Sequence, residues 1–391
     1  MNDPALRRGT FWNRNFMIAL LGYLFLYLSV SLFFLLPLFL EQFKPSGGRV
    51  GLIMGIHSVL AILVRPVFGR IIDVRGGKTL SIAGLGLLIL ATPLFHLVRD
   101  AGVFALVLRG VSGIGWGVAM TASISVCSDF APEGSLARSM GIIGVAGLVA
   151  NALGPYLAEE IIRKAGFGSL FNVALAFFAA ALVCMLFVRE PSRPERSAAR
   201  GPGVLKRIPI WSILIVSAMP IFHGSVRGTM IYFIAPFGKS IHLGRVGPFF
   251  LVFSAAAILT RFSIADLSDR YGRKRVILLA ATLISLNLAL ISSVTSYGVF
   301  LLTGFLGGLG QGLIYPALST YIIDFLGREN KGLAISLYLS LFDVGMGIGS
   351  PFFGGISDLV GFRAMYLIAA AFLFVTSIVF TLGAPKTVTD K

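Results

Sequence analysis

The stretch Ser58-Val-Leu-Ala-Ile-Leu-Val-Arg65 occurs a second time, in modified form, as Ser254-Ala-Ala-Ala-Ile-Leu-Thr-Arg261, 196 residues further along the chain. The similarity continues through Asp73-Val-Arg-Gly76-Gly-Lys78, which returns at the same spacing as Asp269-Arg-Tyr-Gly272-Arg-Lys274. Because the chain has 391 residues, this spacing is half its length. The repeat therefore indicates two related halves that run in the same direction.

The composition places both halves in a membrane. Hydrophobic residues make up 56% of the chain and charged residues only 13%, with a mean hydropathy of +0.89. Soluble domains are typically about 25% charged, and a transmembrane helix needs about 20 apolar residues. We therefore predict an all-α membrane protein with twelve transmembrane helices, at about 16–40, 50–72, 79–98, 103–127, 139–158, 169–188, 210–237, 247–267, 276–294, 299–323, 333–357 and 364–383.

The repeat and these spans define the domains. Residues 1–188 are predicted to form an N-terminal six-helix bundle and residues 210–391 a C-terminal one. The hydrophilic stretch 189–209, rich in Pro, Arg and Ser, is predicted to be a flexible cytoplasmic linker. Twelve spans leave no room for a soluble catalytic domain.

The net charge of +16 has a topological explanation. With the N-terminus inside, 20 of the 33 Lys and Arg lie on the cytoplasmic side, 8 outside and 5 within spans. Such an excess is typical of cytoplasmic loops. We therefore expect both termini in the cytoplasm, a bacterial-type cytoplasmic (inner) membrane and no nucleic-acid partner. The first span is too long for a signal-peptide core and is expected to remain in the protein.

The loop after the second span carries the most specific resemblance. Gly69-Arg-Ile-Ile-Asp73-Val-Arg-Gly76-Gly-Lys78 resembles the Gly-x-x-x-Asp-Arg-x-Gly-Arg-Lys signature of the major facilitator superfamily, and Asp269-Arg270-Tyr-Gly272-Arg273-Lys274 resembles it again. Val74, Gly77 and Ala265 depart from the signature. The resemblance implies a secondary transporter of two bundles that works by alternating access.

These repeated loops also predict a cytoplasmic gate. A carboxylate at a helix–loop corner can be compensated by basic neighbours and by the N-terminus of the next helix. The alternative is a merely solvated basic loop, and the repeat argues against it. The predicted gate residues are Gly69, Asp73, Arg75, Gly76, Lys78, Asp129, Asp269, Arg270, Gly272, Arg273 and Asp324.

Three further patterns bear on the type of transporter. Arg109-Gly-Val-Ser-Gly113-Ile-Gly115 resembles a motif of proton-coupled members, and Gly154-Pro155 lies where antiporters carry a longer glycine motif, which is otherwise incomplete here. Arg65-Pro-Val-Phe-Gly69-Arg-Ile-Ile-Asp73 is similar to bacterial drug- or arabinose-efflux permeases. Together these resemblances imply proton-coupled export.

Asp343 is the candidate for proton coupling, together with Arg109. It lies ten residues into a span that starts near residue 333, about 15 Å deep at 1.5 Å per residue and so near the bilayer midplane. A buried ionisable residue at this depth is a functional candidate, and desolvation can bring a carboxylic acid to titrate near neutral pH. Two alternatives remain, namely a permanently paired structural Asp343 and direct contact with the substrate.

The central basic residues predict the character of the cavity. His223 and Arg227 are four apart, hence on one helical face, and Arg109 is also within a span. Because Arg109 and Arg227 outnumber the single acid Asp343, the cavity has an excess of positive charge. This excess favours a substrate with a carboxylate or phosphate; the alternative is that the Arg side chains are solvated. Arg65 and Arg261 fit a structural role better. The predicted cavity residues are Tyr23, Tyr27, Arg109, Asn151, His223, Arg227, Gln311 and Tyr315.

The function predicted from these features is proton-coupled export of a small organic solute by a monomer in the lipid bilayer. The main alternative is a proton-linked symporter of a small organic anion such as a monocarboxylate, and a channel or transporter-derived sensor is a third. An enzyme is not expected, because no nucleophile–base arrangement is visible. Four scattered His residues predict no metal site. No cofactor is expected, and the proton gradient would supply the energy.

Overall fold

The structure is a computed structural model that describes residues 12–130, 136–189, 209–263, 271–327 and 331–385. Regular structure in these ranges is helical. The α-helices are α1 Arg14–Leu32, α2 Leu36–Leu40, α3 Gly47–Arg75, α4 Gly77–Ala91, α5 Val103–Asp129, α6 Leu136–Phe187, α7 Ile210–Ser240, α8 Gly247–Ser263, α9 Arg273–Ser292, α10 Tyr297–Leu326 and α11 Lys331–Gly383. Short 3₁₀ turns at Phe33–Leu35, Glu41–Phe43 and Pro93–Leu97 extend their neighbours.

The helices agree with the predicted twelve spans. In the described part of the chain, nine helices are long and apolar enough to cross a membrane, and Gly247–Phe262 is a shorter apolar helix. Two of the nine, α6 and α11, are long enough for two crossings each and contain a glycine in a non-helical conformation, Gly166 and Gly361. Dividing them at these glycines is consistent with the predicted count of twelve.

The glycines at the kinks are required by backbone conformation. Gly166 has φ 76° and Gly361 has φ 80°, values that residues with a Cβ rarely adopt. Each glycine lies between two of the predicted spans, which were expected to be separated by a loop. The structure differs in that no loop separates the paired spans, because a single glycine is enough to turn the chain.

Contacts divide the chain into two compact units. The first contains Met1–Phe34 and Leu60–Ser197, and the second contains Leu35–Val59 and Ala198–Lys391. In the first unit α1 packs most extensively on α6, and α4 on α5. In the second, α11 packs on α7, and α9 and α8 pack on α10. Residues 35–59, assigned by sequence to the N-terminal bundle, thus group with the C-terminal helices.

The repeat is visible in the structure as a matched pair of helix caps. Lys78 Nζ donates to the carbonyl oxygens of Leu186 (3.2 Å) and Val188 (2.7 Å) at the end of α6. Lys274 Nζ donates to the carbonyl oxygens of Thr381 and Ala384 at the end of α11. An ammonium group at a helix C-terminus satisfies carbonyls that lack helical partners and interacts favourably with the dipole. The conserved spacing of 196 residues therefore preserves a structural anchor in each unit.

Candidate functional site

A buried polar cluster in the second unit brings together three of the predicted cavity residues. His223 and Arg227 point from α7, and Gln311 comes from α10. His223 Nε2 lies 3.1 Å from Gln311 Oε1, and the Arg227 guanidinium carbon lies 4.5 Å from the centre of the Phe253 ring. His223 and Arg227 are both buried. The four-residue spacing on α7 thus places an imidazole and a guanidinium side by side in the helix bundle.

Asn287 completes this cluster and was missed from the sequence. It lies on α9 with 0% exposure, and its Nδ2 contacts the sulfur of Met230 at 3.7 Å. Its Oδ1 has no hydrogen-bond partner among the described residues. Gly307 on α10 leaves it room, because a Cβ there would lie 2.5 Å from Asn287 Nδ2. A single uncharged amide in an apolar run gives no signal in the sequence comparable to that of an ionisable residue within a span.

The cluster surrounds a small cavity. Its volume of about 10 Å³ is that of a water-sized sphere. The lining combines one permanent positive charge with imidazole and amide groups, and the rest of the wall is apolar. The residues that line the cavity are His223, Val226, Arg227, Met230, Phe253, Ile284, Asn287, Gly307 and Gln311. Guanidinium and amide N–H groups are the donors that bind carboxylates and phosphates. In this conformation the cavity has room for about one water molecule, and its lining presents donors suited to an anionic or hydrogen-bond-accepting group.

Asp343 belongs to a second cluster of the same unit. It interacts electrostatically with Tyr338, whose ring lies 5.4 Å from that of Tyr315. The guanidinium of Arg261 lies 5.2 Å from the centre of the Tyr315 ring. Asp343, Tyr315 and Arg261 thus all interact with Tyr338 electrostatically, although the sequence favoured a structural role for Arg261.

In the first unit, Tyr23 and Tyr27 form an aromatic face on α1. Their ring centres are 5.8 Å apart, and Tyr27 packs edge-on against Trp116 of α5 at 5.1 Å. Gly147 of α6 gives them space, since a Cβ there would lie 3.3 Å from the Tyr23 hydroxyl. Trp116 was not among the predicted residues, because a single tryptophan in an apolar span forms no pattern that would distinguish a cavity residue from a packing residue.

The other two predicted cavity residues of this unit have neighbours further along the chain, at Ser31 and Phe33. Asn151 Oδ1 accepts a hydrogen bond from Ser31 at 3.4 Å, one turn beyond Tyr27. Arg109 is buried, and its guanidinium lies 5.9 Å from the centre of the Phe33 ring. The structure thus places Arg109 in the first unit, among aromatic side chains, and Asp343 in the second.

The predicted gate residues are only partly described. In the second unit Arg273 and Asp324 form a buried ion pair, with side-chain exposures of 7% and 4%, and Arg273 also donates to the Thr320 carbonyl. Gly76 and Gly272 precede α4 and α9 with φ of 98° and 88°. Asp269 and Arg270 lie outside the described residues, as do the side chains of Asp73 and Arg75. Gly69 and Asp129 lie in α3 and at the end of α5.

Comparison with known proteins decides the family. The family model of the Major Facilitator Superfamily matches residues 19–251 and, again, residues 229–391. The chain belongs to the Major Facilitator Superfamily. It is therefore a multi-pass integral membrane transporter with a small-molecule substrate rather than an enzyme, and the predicted family is confirmed. No group of three or more His, Cys, Asp or Glu side chains able to hold a metal is found in the described residues.

The relatives of this superfamily member include proteins named for multidrug resistance and for export. The chain is 25% identical over 387 residues to the multidrug resistance protein MdtG of Dickeya zeae, covering 94% of this chain and 93% of the relative. It is 24% identical over 391 residues to the staphylopine export protein of Staphylococcus aureus, covering 93% and 96%. A crystal structure of the nucleoside transporter NupG has a TM-score of 0.79 at 14% identity, covering 94% of this chain and 99% of that one, which shows the shared fold.

Proposed function

We propose that this transporter exports a small organic solute in exchange for protons. The observation that carries the proposal is its similarity, over more than nine tenths of each chain, to proteins named for multidrug resistance and for export. The resemblance of Arg109–Gly115 to a proton-coupled motif supports the same direction. In this proposal the protein lies in a bacterial cytoplasmic membrane with both termini inside, uses the proton gradient and needs no cofactor.

The polar cavity of the second unit supports a role in substrate binding. Arg227 carries a charge that an arginine cannot lose, and Asn287 offers a buried amide beside it. A solute with an acidic or carbonyl group would be recognised there, because burying such a group beside these donors replaces its lost hydration. The aromatic face of Tyr23, Tyr27 and Trp116 provides apolar contact in the first unit.

Proton coupling is assigned to Asp343. Its helix contains Gly345, Gly347 and Gly349, where backbones approach closely, so rearrangement there would change the surroundings of the carboxyl. Contact with a cation favours the ionised form of the Asp343 carboxyl, whereas separation from that cation, or desolvation of the carboxyl, favours its protonated form. Arg261, which lies beside Tyr315, is a candidate for this cation within the same unit, in addition to Arg227.

A second candidate function is proton-linked symport of a small organic anion. The buried positive groups Arg227 and Arg109 favour it. The two mechanisms differ in whether the proton moves in the opposite direction to the solute or in the same direction. An antiporter accumulates solute in vesicles with an acidic lumen, whereas a symporter accumulates it when the outside is acidic.

The experiment uses purified protein in proteoliposomes with an imposed pH gradient of either sign. The probes are ethidium as an organic cation and p-aminohippurate as an organic anion, with protein-free liposomes and a protonophore as controls. Export predicts accumulation of a probe only with the acidic lumen. Accumulation only with the acidic exterior would favour the symporter. Uptake without stimulation by unlabelled probe on the opposite side would favour a channel.

A further inference from the structure

The beginning of α3 is capped by a carboxylate from a distant part of the chain. Asp358 of α11 accepts hydrogen bonds from the backbone N–H groups of Gly47, at 2.5 Å, and Gly48, at 2.9 Å. All three residues belong to the second compact unit. The first N–H groups of a helix lack helical partners, and a negative charge there interacts favourably with the dipole. Hydrogen bonds to an ionised group are also stronger than neutral ones.

The same two helices then run in unusually close contact. Gly47, Gly51 and Gly55 are four residues apart and therefore share one face of α3. A Cβ at Gly51 would lie 2.2 Å from the Ser350 carbonyl oxygen, and a Cβ at Gly55 would lie 2.4 Å from the Gly347 carbonyl oxygen. Small residues at four-residue spacing allow transmembrane helices to pack backbone against backbone.

Helix α11 also requires a residue without a Cβ where it contacts α3. A Cβ at Gly354 of α11 would lie 2.2 Å from the Gly47 carbonyl oxygen. At the neighbouring Gly355 no heavy atom lies within 4 Å of such a Cβ, among the residues that the structure describes. The close contact between α3 and α11 thus requires glycine at position 354 but not at position 355.

An exposed ion pair on the same segment adds little. Lys239 Nζ at the end of α7 lies 3.0 Å from Glu41 Oε2, with side-chain exposures of 64% and 26%. Exposed pairs of this kind contribute little to stability. This ion pair therefore adds little to the attachment that the carboxylate cap and the glycine face provide.

We propose that Asp358 and this glycine face form a latch that holds together the outer ends of the second and eleventh spans. The predicted topology places both ends outside, and the two spans come from different halves of the sequence repeat. Alternating access, the part of the proposed function on which this latch rests, requires such ends to separate when the outer side opens. Asp358 is exposed, so water can solvate its charge on release.

The residues of the carboxylate cap do not recur at the spacing of 196 residues. The positions 196 residues from Gly47 and Asp358 are Leu243 and Ile162, which can supply neither a close backbone contact nor a carboxylate. The Lys78 and Lys274 caps, in contrast, occur in both halves.

The test measures the distance between the two outer ends without any substrate. Spin labels are placed at Gln42→Cys and Leu359→Cys, both exposed positions, after replacement of Cys127 and Cys184 by Ser. Distances are recorded in lipid nanodiscs by double electron–electron resonance. The unmodified latch should give mainly one short distance.

Three variants then separate the latch from nonspecific damage. Asp358→Asn and Gly354→Ala should each raise the ratio of long to short distances, about tenfold for the loss of the charge-assisted cap. Gly355→Ala is the matched control and should leave the distribution unchanged. Unchanged distances in both Asp358→Asn and Gly354→Ala, each monodisperse by size-exclusion chromatography, would overturn the latch. The readout needs neither probe nor proton gradient, so failure of proton-coupled export would leave this result standing.

Discussion

Replacing Asp324 by Asn should destabilise the protein far more than the loss of a typical surface charge. The variant removes one charge from the Arg273–Asp324 pair, whose side chains are 7% and 4% exposed. Breaking a buried ion pair by removing one partner costs about 3–5 kcal/mol, because the remaining charge is buried. The matched control is Glu160→Gln, which breaks an exposed pair with Arg163, for which about 0–1 kcal/mol is expected.

The assay is thermal unfolding in detergent, followed by circular dichroism at 222 nm. A change of 1 kcal/mol shifts the Tm of a domain of 150–250 residues by about 2–4 °C, so a cost near 3 kcal/mol corresponds to a decrease of about 6–12 °C. Glu160→Gln should remain within about 2 °C of the parent. If Asp324→Asn also unfolds within that margin, the pair is not a buried structural interaction, and the reasoning from its burial fails.

Three further predictions address coupling, the cavity and topology. Asp343→Asn should abolish accumulation driven by a pH gradient and retain exchange of labelled for unlabelled probe in proteoliposomes; retained uphill transport would place coupling elsewhere. Gly307→Ala should weaken probe binding at least several-fold in a thermal-shift titration, whereas Gly298→Ala, with open space around its Cβ, should not; equal affinities would remove the cavity from the binding site. Cysteines at Ser197, which lies outside the described residues, and at Ser240 should react with impermeant reagents from inside and from outside, respectively, and the reverse pattern would contradict the predicted topology.

The sequence was sufficient for the family and predicted a span count consistent with the described helices, because both depend on local, repeated signals. Apolar length predicts a crossing wherever it occurs, and the repeat at Asp73 and Asp269 is visible without any three-dimensional information. The kinks at Gly166 and Gly361 were less predictable, since one glycine can replace a loop.

The neighbours of individual side chains could not be predicted in the same way. The four-residue spacing of His223 and Arg227 placed them on one face, and in the structure both line the same small cavity. Asn287 was missed because its partners come from helices distant in sequence. The spacing of Gly47, Gly51 and Gly55 is visible in the sequence, but which helix packs against that face depends on the arrangement of the whole unit.

The central claim is that solute and proton move in opposite directions through this protein. Its most direct test is the luminal pH of proteoliposomes, reported by trapped pyranine, when a transported probe is added outside. The account predicts that the lumen becomes more alkaline with the parent protein and that Asp343→Asn, although it still exchanges labelled for unlabelled probe, produces no pH change. Acidification of the lumen by the parent, or a transported probe that moves no protons at all, would contradict it.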